Sequence, residues 1–145
     1  MIKHFEHLTK EETELLMKAP VLVSVLAASY HHEISKEARA DAIRLAHLKT
    51  FTAVPLLRPY YTEVEKNFKS NFEAIVKAFA PFNDENRELL LRELDDITLV
   101  MFKLDKQFAA TLQWSLSKYA AHVKKAERVL LENFIFPFKI PGLTD

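Results

Sequence analysis

Residues 15–28 read Leu15-Leu16-Met17-Lys18-Ala19-Pro20-Val21-Leu22-Val23-Ser24-Val25-Leu26-Ala27-Ala28. Leu15, Leu16, Ala19, Leu22, Val23 and Leu26 recur at three- and four-residue intervals, which stacks them along one face of a helix. Beyond Pro20 nearly every residue is apolar, so this helix must be covered on most sides by the rest of the chain. Proline lacks an amide and crowds the preceding turn, which predicts a kink or two abutting helices there. The apolar run is about half of the roughly 20 residues that span a bilayer, so it reads as the buried helix of a globular core.

Working outward toward the N-terminus, Thr9 with Glu12 matches the capping box that satisfies the free amides of a helix start. His4 and His7, ahead of it, read as a frayed leader. On the other side comes a polar connection, Ser29-Tyr30-His31-His32-Glu33-Ile34-Ser35-Lys36-Glu37. Ser35 suits the cap of a second helix, about residues 36–53, with Glu37 near its positive end. Ala38, Ala42, Leu45 and Ala46 form a small-residue stripe that permits close packing. Val54-Pro55 and Arg58-Pro59 break the chain again, because residues before proline avoid the helical region.

A third helix, about 60–80, carries Val64, Phe68, Phe72, Ile75, Val76 and Phe79 on one face, and Pro81 ends it. A fourth, about 84–103, opens at Asn83-Asp84-Glu85 and carries Leu90, Leu94, Ile97 and Met101. Leu104-Asp105 separates it from a fifth, striped by Phe108, Leu112, Leu116, Tyr119 and Val123 and running to about Phe134. The apolar, proline-broken tail at 135–145 reads as an extended segment packed on the bundle, with docking on a second copy of the chain as the alternative. The expectation is one all-α domain over residues 1–145, a compact bundle of five to seven helices.

Composition narrows the function. The chain has 145 residues, 49% of them apolar, with a single glycine and no cysteine. One glycine, Gly142 near the end, leaves no phosphate-cradling loop and argues against an all-β fold. No cysteine means no disulfide, thiolate metal site or cysteine nucleophile. Twenty basic and twenty acidic residues cancel, so no global field draws nucleic acid or an anionic membrane. The Lys124-Lys125-Arg128 knot reads as a solvated face. The N-terminus shows no basic-apolar-small pattern, which sets a cytoplasmic location as the expectation.

Groups able to bind a metal or a proton are densest at the corner between the first two helical regions. His31, His32, Glu33 and Glu37 are the candidate ligands of a divalent metal, and Asp41, one turn beyond Glu37, extends the acidic stripe. Tyr30 and Asp41 are candidate partner contacts. The blander reading is a solvated helix start with histidines pointing apart. His47 and His122 sit in partly apolar helical surroundings, and a helical metalloenzyme could use both with a carboxylate. Against that, no Glu-x-x-His or His-x-x-x-His pair places two ligands on one face. Asp95-Asp96 reads as a solvated face, since adjacent helical residues diverge by about 100°. Tyr30, Tyr60, Tyr61 and Trp114 read as groove lining or core rim.

Two stretches together, Leu15 to Ala28 and His31-His32-Glu33-Ile34-Ser35-Lys36-Glu37, resemble the first half of TerB-like domains, the tellurite-resistance family. The family places an apolar helix before an acidic Asp-Gly-Glu-Ile corner and then a helix with early glutamates. Glu33, Ile34 and Glu37 fit; His31 and His32 replace the aspartate and glycine. The resemblance implies an all-helical fold, divalent metal binding in acidic members, and a link to stress-response assemblies. Imidazoles favour zinc, nickel or copper over calcium, which takes oxygen ligands. A weak echo of His31–Ile34 at Asp105-Lys106-Gln107-Phe108 would make the helix pairs an internal pseudo-repeat. The expected function is a non-enzymatic binding module that takes a protein partner or a metal at Tyr30–Glu37. The alternatives are the His47–His122 metalloenzyme and an assembly protein using its apolar tail.

Overall fold

A computed structural model of the chain describes residues 2–29 and 33–122, with only the backbone at 120–122. The fold is all-α. Its helices are α1 (Lys10–Met17), α2 (Ala19–Ala28), α3 (Lys36–Thr52), α4 (Arg58–Phe79), α5 (Asp84–Met101) and α6 (Lys106–His122). Single 3-10 turns lie at Lys3–Phe5 and Pro55–Leu57, and no strand occurs among the described residues. The tail at 135–145, Val123, the Lys124–Arg128 knot and the end of the fifth predicted helix lie outside the described residues, as do Tyr30, His31 and His32.

All ten residues of α2 are buried, and α1, α3, α4, α5 and α6 all pack against it. The apolar sequence therefore does make the central post of the bundle. At Pro20 the chain divides into two abutting helices rather than one kinked one, with the proline at the second position of α2. There its missing amide costs little, because early helical amides have no carbonyl partner within the helix. The Leu16 carbonyl, which a residue-20 amide would have met, instead accepts the Tyr60 hydroxyl at 2.6 Å.

Local sequence sets the helix starts as expected. Thr9 and Glu12 form the reciprocal capping box at 3.1 and 2.9 Å. The Ser35 hydroxyl accepts the Ala38 amide at 3.0 Å, and Asn83 accepts the Asn86 amide at 2.8 Å. Asp105 opens α6 by accepting the Gln107 and Phe108 amides. The predicted stripes on α4, α5 and α6 are buried at Val64, Phe68 and Phe72, at Leu90, Leu94 and Ile97, and at Phe108, Leu112 and Leu116.

Two readings are corrected. His4 and His7 do not belong to a frayed leader. His4 stacks on Phe108 at 4.5 Å between ring centres and meets Asp105 at 3.1 Å, while His7 donates to the Lys103 carbonyl. Phe5 between them is buried, and Lys103 pairs with Glu12. The N-terminal turn thus clamps the α5–α6 corner. Tyr60 and Tyr61 are likewise neither groove lining nor rim, since both are fully buried at the centre of the core. Trp114, by contrast, is half-buried.

Candidate functional site

The corner between α2 and α3 is built by Ser35. Its cap directs Glu37 into the first turn of α3, and Glu33 lies in the exposed bend before it. Ile34 packs back on the core and holds the bend down. Asp41 does not face the corner as a bare carboxylate, because Arg44 pairs with it along the helix. Among the described residues, no three His, Asp or Glu side chains gather in a way that could hold a metal. His31 and His32 lie outside those residues.

Beneath the corner, Arg87 of α5 reaches α2. Its Nε donates to the Ser29 hydroxyl at 3.3 Å, and its Nη2 is buried with no acceptor. Guanidinium at a helix C-terminus complements the negative end of the helix dipole. Sequence reading missed this arginine because 58 positions separate it from Ser29.

From the corner, a polar face continues along α3 and α4. Arg39 pairs with Glu73, and the His47 Nδ1 meets Glu65 Oε2 at 2.6 Å. The first pair is eight residues earlier on α3 and eight later on α4 than the second, so the two helices run antiparallel. Tyr61 bonds Ser115 and Tyr119 lies beside Phe68, so α6 runs with α4 and against α3. The Tyr119 hydroxyl donates to the Ala42 carbonyl at 2.7 Å. The turn after Tyr119 therefore proceeds toward Ala38, whereas His47 lies toward the other end of α3. The side chain of His122 lies outside the described residues. The carboxylate that the structure supplies to His47 is Glu65.

Next to His47 on the same helix, Phe51 is 55% exposed and Leu48 36%, and Val54 follows at 38%. The His47 ring meets Phe51 edge-on at 5.9 Å. The buried face of α3 consists of Ala38, Ala42 and Ala46. At about 100° per residue, Leu48 sits roughly 200° and Phe51 roughly 140° around from Ala46. Ile43 and Leu45 pack partly against the core, so α3 buries its alanine stripe yet leaves Phe51 and part of Leu48 on its outer side. That signal was present in the sequence, as two large apolar residues off the alanine stripe.

The interior holds a second polar group. Tyr61 hydrogen-bonds Ser115 at 2.6 Å, and Ser24 donates to the Pro20 carbonyl at 2.7 Å. Burial pushes the Tyr60, Tyr61 and Tyr119 hydroxyls up, well above the ordinary phenol range. The neighbouring rings add to the effect at Tyr60 and Tyr119. These phenols stay protonated near neutral pH and serve packing and hydrogen bonding. Burial also lowers the Lys49 ammonium on α3. Asp95 and Asp96 are both exposed.

A groove of about 530 Å³ separates α1 from α4. Ile2, Phe5, Met17 and Val64 contribute apolar surface, while Glu14, Lys18, Asn67 and Asn71 contribute polar groups. No described helix is long and apolar enough to cross a membrane. Comparison of the chain with protein-family models, with curated proteins and with solved structures finds no match.

Proposed function

We propose that the chain is a non-enzymatic binding module that receives a protein partner on the outer face of α3, from the Tyr30–Glu37 corner to Val54. The observation that carries this reading is the apolar patch on the outer side of α3, where Phe51 and in part Leu48 are left uncovered. Exposed apolar surface forgoes roughly 25 cal/mol per Å², a gain that association recovers. The His47–Glu65 pair borders the apolar residues on the α4 side, and the Arg39–Glu73 pair lies about two turns nearer the corner. Charges at the rim of a contact set register and on-rate more than affinity. Glu33 and Glu37 carry the TerB-like resemblance into this proposal, because both are exposed at the start of the same helix, where Ile34 anchors the bend. A divalent ion held by His31, His32, Glu33 and Glu37 would belong to that surface as well.

A photo-reactive phenylalanine analogue in place of Phe51 tests the proposal in cells. The expected result is one discrete adduct, absent when the analogue replaces exposed Lys69 on α4. Repeating the reaction with zinc or with chelator reads whether the corner needs a metal, through the yield of that adduct. No adduct, or equal adducts from both positions, would overturn the docking face.

A further inference from the structure

We infer that the groove between α1 and α4 binds a short apolar peptide with both ends free, in the simplest case a zwitterionic dipeptide. Its volume of about 530 Å³ falls within the roughly 300–1,000 Å³ typical of small-ligand sites. Ile2, Phe5 and Val64, nearly buried, close the groove from beneath, and half-buried Met17 supplies its open apolar surface. Such a floor accepts side chains and gives no reason to take up a purely polar solute.

The α1 wall supplies two opposite charges one helical turn apart, Glu14 and Lys18. A glutamate four residues before a lysine is the favourable order for a pair within a helix. Even so, no ion pair joins them or occupies either among the described residues. Glu63, the other carboxylate on the groove, is held by Lys66 at 2.9 Å. An unpaired anion and an unpaired cation therefore stand side by side over an apolar floor.

Their opposite charges match the two free ends of a short peptide. Residues one turn apart on a helix have Cβ atoms about 5–6 Å apart. An extended chain advances about 3.3–3.6 Å per residue, so the two ends of a dipeptide span a similar distance. An α-ammonium then meets Glu14 and an α-carboxylate meets Lys18, while the side chains lie on the floor. Across the groove, Asn67 and Asn71 repeat the one-turn spacing on α4. Each carboxamide can accept from a peptide N–H and donate to a peptide carbonyl.

Isothermal titration of the full chain with leucyl-phenylalanine, its N-acetyl form and its C-terminal amide tests this assignment. The free dipeptide should bind, and each blocked form should bind at least tenfold more weakly. Glu14→Gln should abolish the penalty of acetylation alone, and Lys18→Gln the penalty of amidation alone. Both side chains are exposed, so neither variant should disturb the fold. In the unaltered protein, the Asn67 and Asn71 side-chain amide resonances should shift on titration. Absence of binding, equal binding of the blocked forms, or shifts confined to other residues would overturn the inference.

Discussion

Single side chains in this molecule take up roles that their neighbours in sequence leave open. Pro20 supplies no amide to the Leu16 carbonyl, and Tyr60 donates to that carbonyl from 44 residues away. A buried polar group left unpaired costs on the order of 1–3 kcal/mol. Tyr60→Phe keeps the ring and removes only the hydroxyl, so it should lower unfolding free energy by about that amount. Urea denaturation of the variant checks the value, and an unchanged midpoint would mean that the bond does not matter to stability. Nothing local marks Tyr60 for this duty. Aromatic residues beside Pro59, at the start of a helix, read as rim, and only the approach of α1 places one at the centre.

Among the elements, α3 separates burial from hydrophobicity most clearly. Ala42 is fully buried at the approach of α3 to its neighbours, whereas Phe51 stands in water. Overpacking a tight contact costs typically about 1–3 kcal/mol, and surface substitutions usually stay within about 0.5 kcal/mol. Ala42→Leu, a gain in hydrophobicity, should therefore destabilise by about 1–3 kcal/mol. Phe51→Ser, a loss, should leave stability within about 0.5 kcal/mol. Denaturation midpoints of the two variants test this ordering, and the reverse order would mean that α3 packs the other way round. The alanine stripe was legible from spacing alone. That the opposite face would find no cover was not, because it depends on where α4 stops covering α3. The N-terminal turn carries the same lesson: His4, Phe5 and His7 show no periodic pattern, yet the α5–α6 corner gives them partners.

At the scale of the whole molecule, the buried phenols tie folding to alkaline pH. Tyr60, Tyr61 and Tyr119 come from α4 and α6, and their hydroxyls reach α1, α6 and α3 respectively. Each hydroxyl has its pKa raised in the folded state by burial. Below the ordinary phenol value of about 10, folded and unfolded chains both hold these protons and nothing is lost. Above it the unfolded chain releases them first, so stability falls as pH rises, by up to about 1.4 kcal/mol per pH unit for each tyrosine. Thermal melts should show this loss setting in above pH 10. Absorbance of tyrosinate from these three rings should rise only with unfolding. Smooth ionisation of all tyrosines in a chain that remains helical would contradict their burial.

Sequence alone determined the fold class, the caps at Thr9 and Ser35, a helix start at Asn83-Asp84-Glu85, an interruption at Pro20 and the apolar stripes of α4, α5 and α6. Each of these follows from interactions within one helical turn or from a period that any packed helix must obey. It also singled out Glu33 and Glu37 at the α2–α3 corner and His47 on α3. Tertiary structure decided what those positions face: Glu65 opposite His47, Arg44 beside Asp41, Arg87 beneath Ser29, and a groove whose two walls come from α1 and α4. Such pairings join residues many turns apart, and only the packing of whole helices against α2 brings them together.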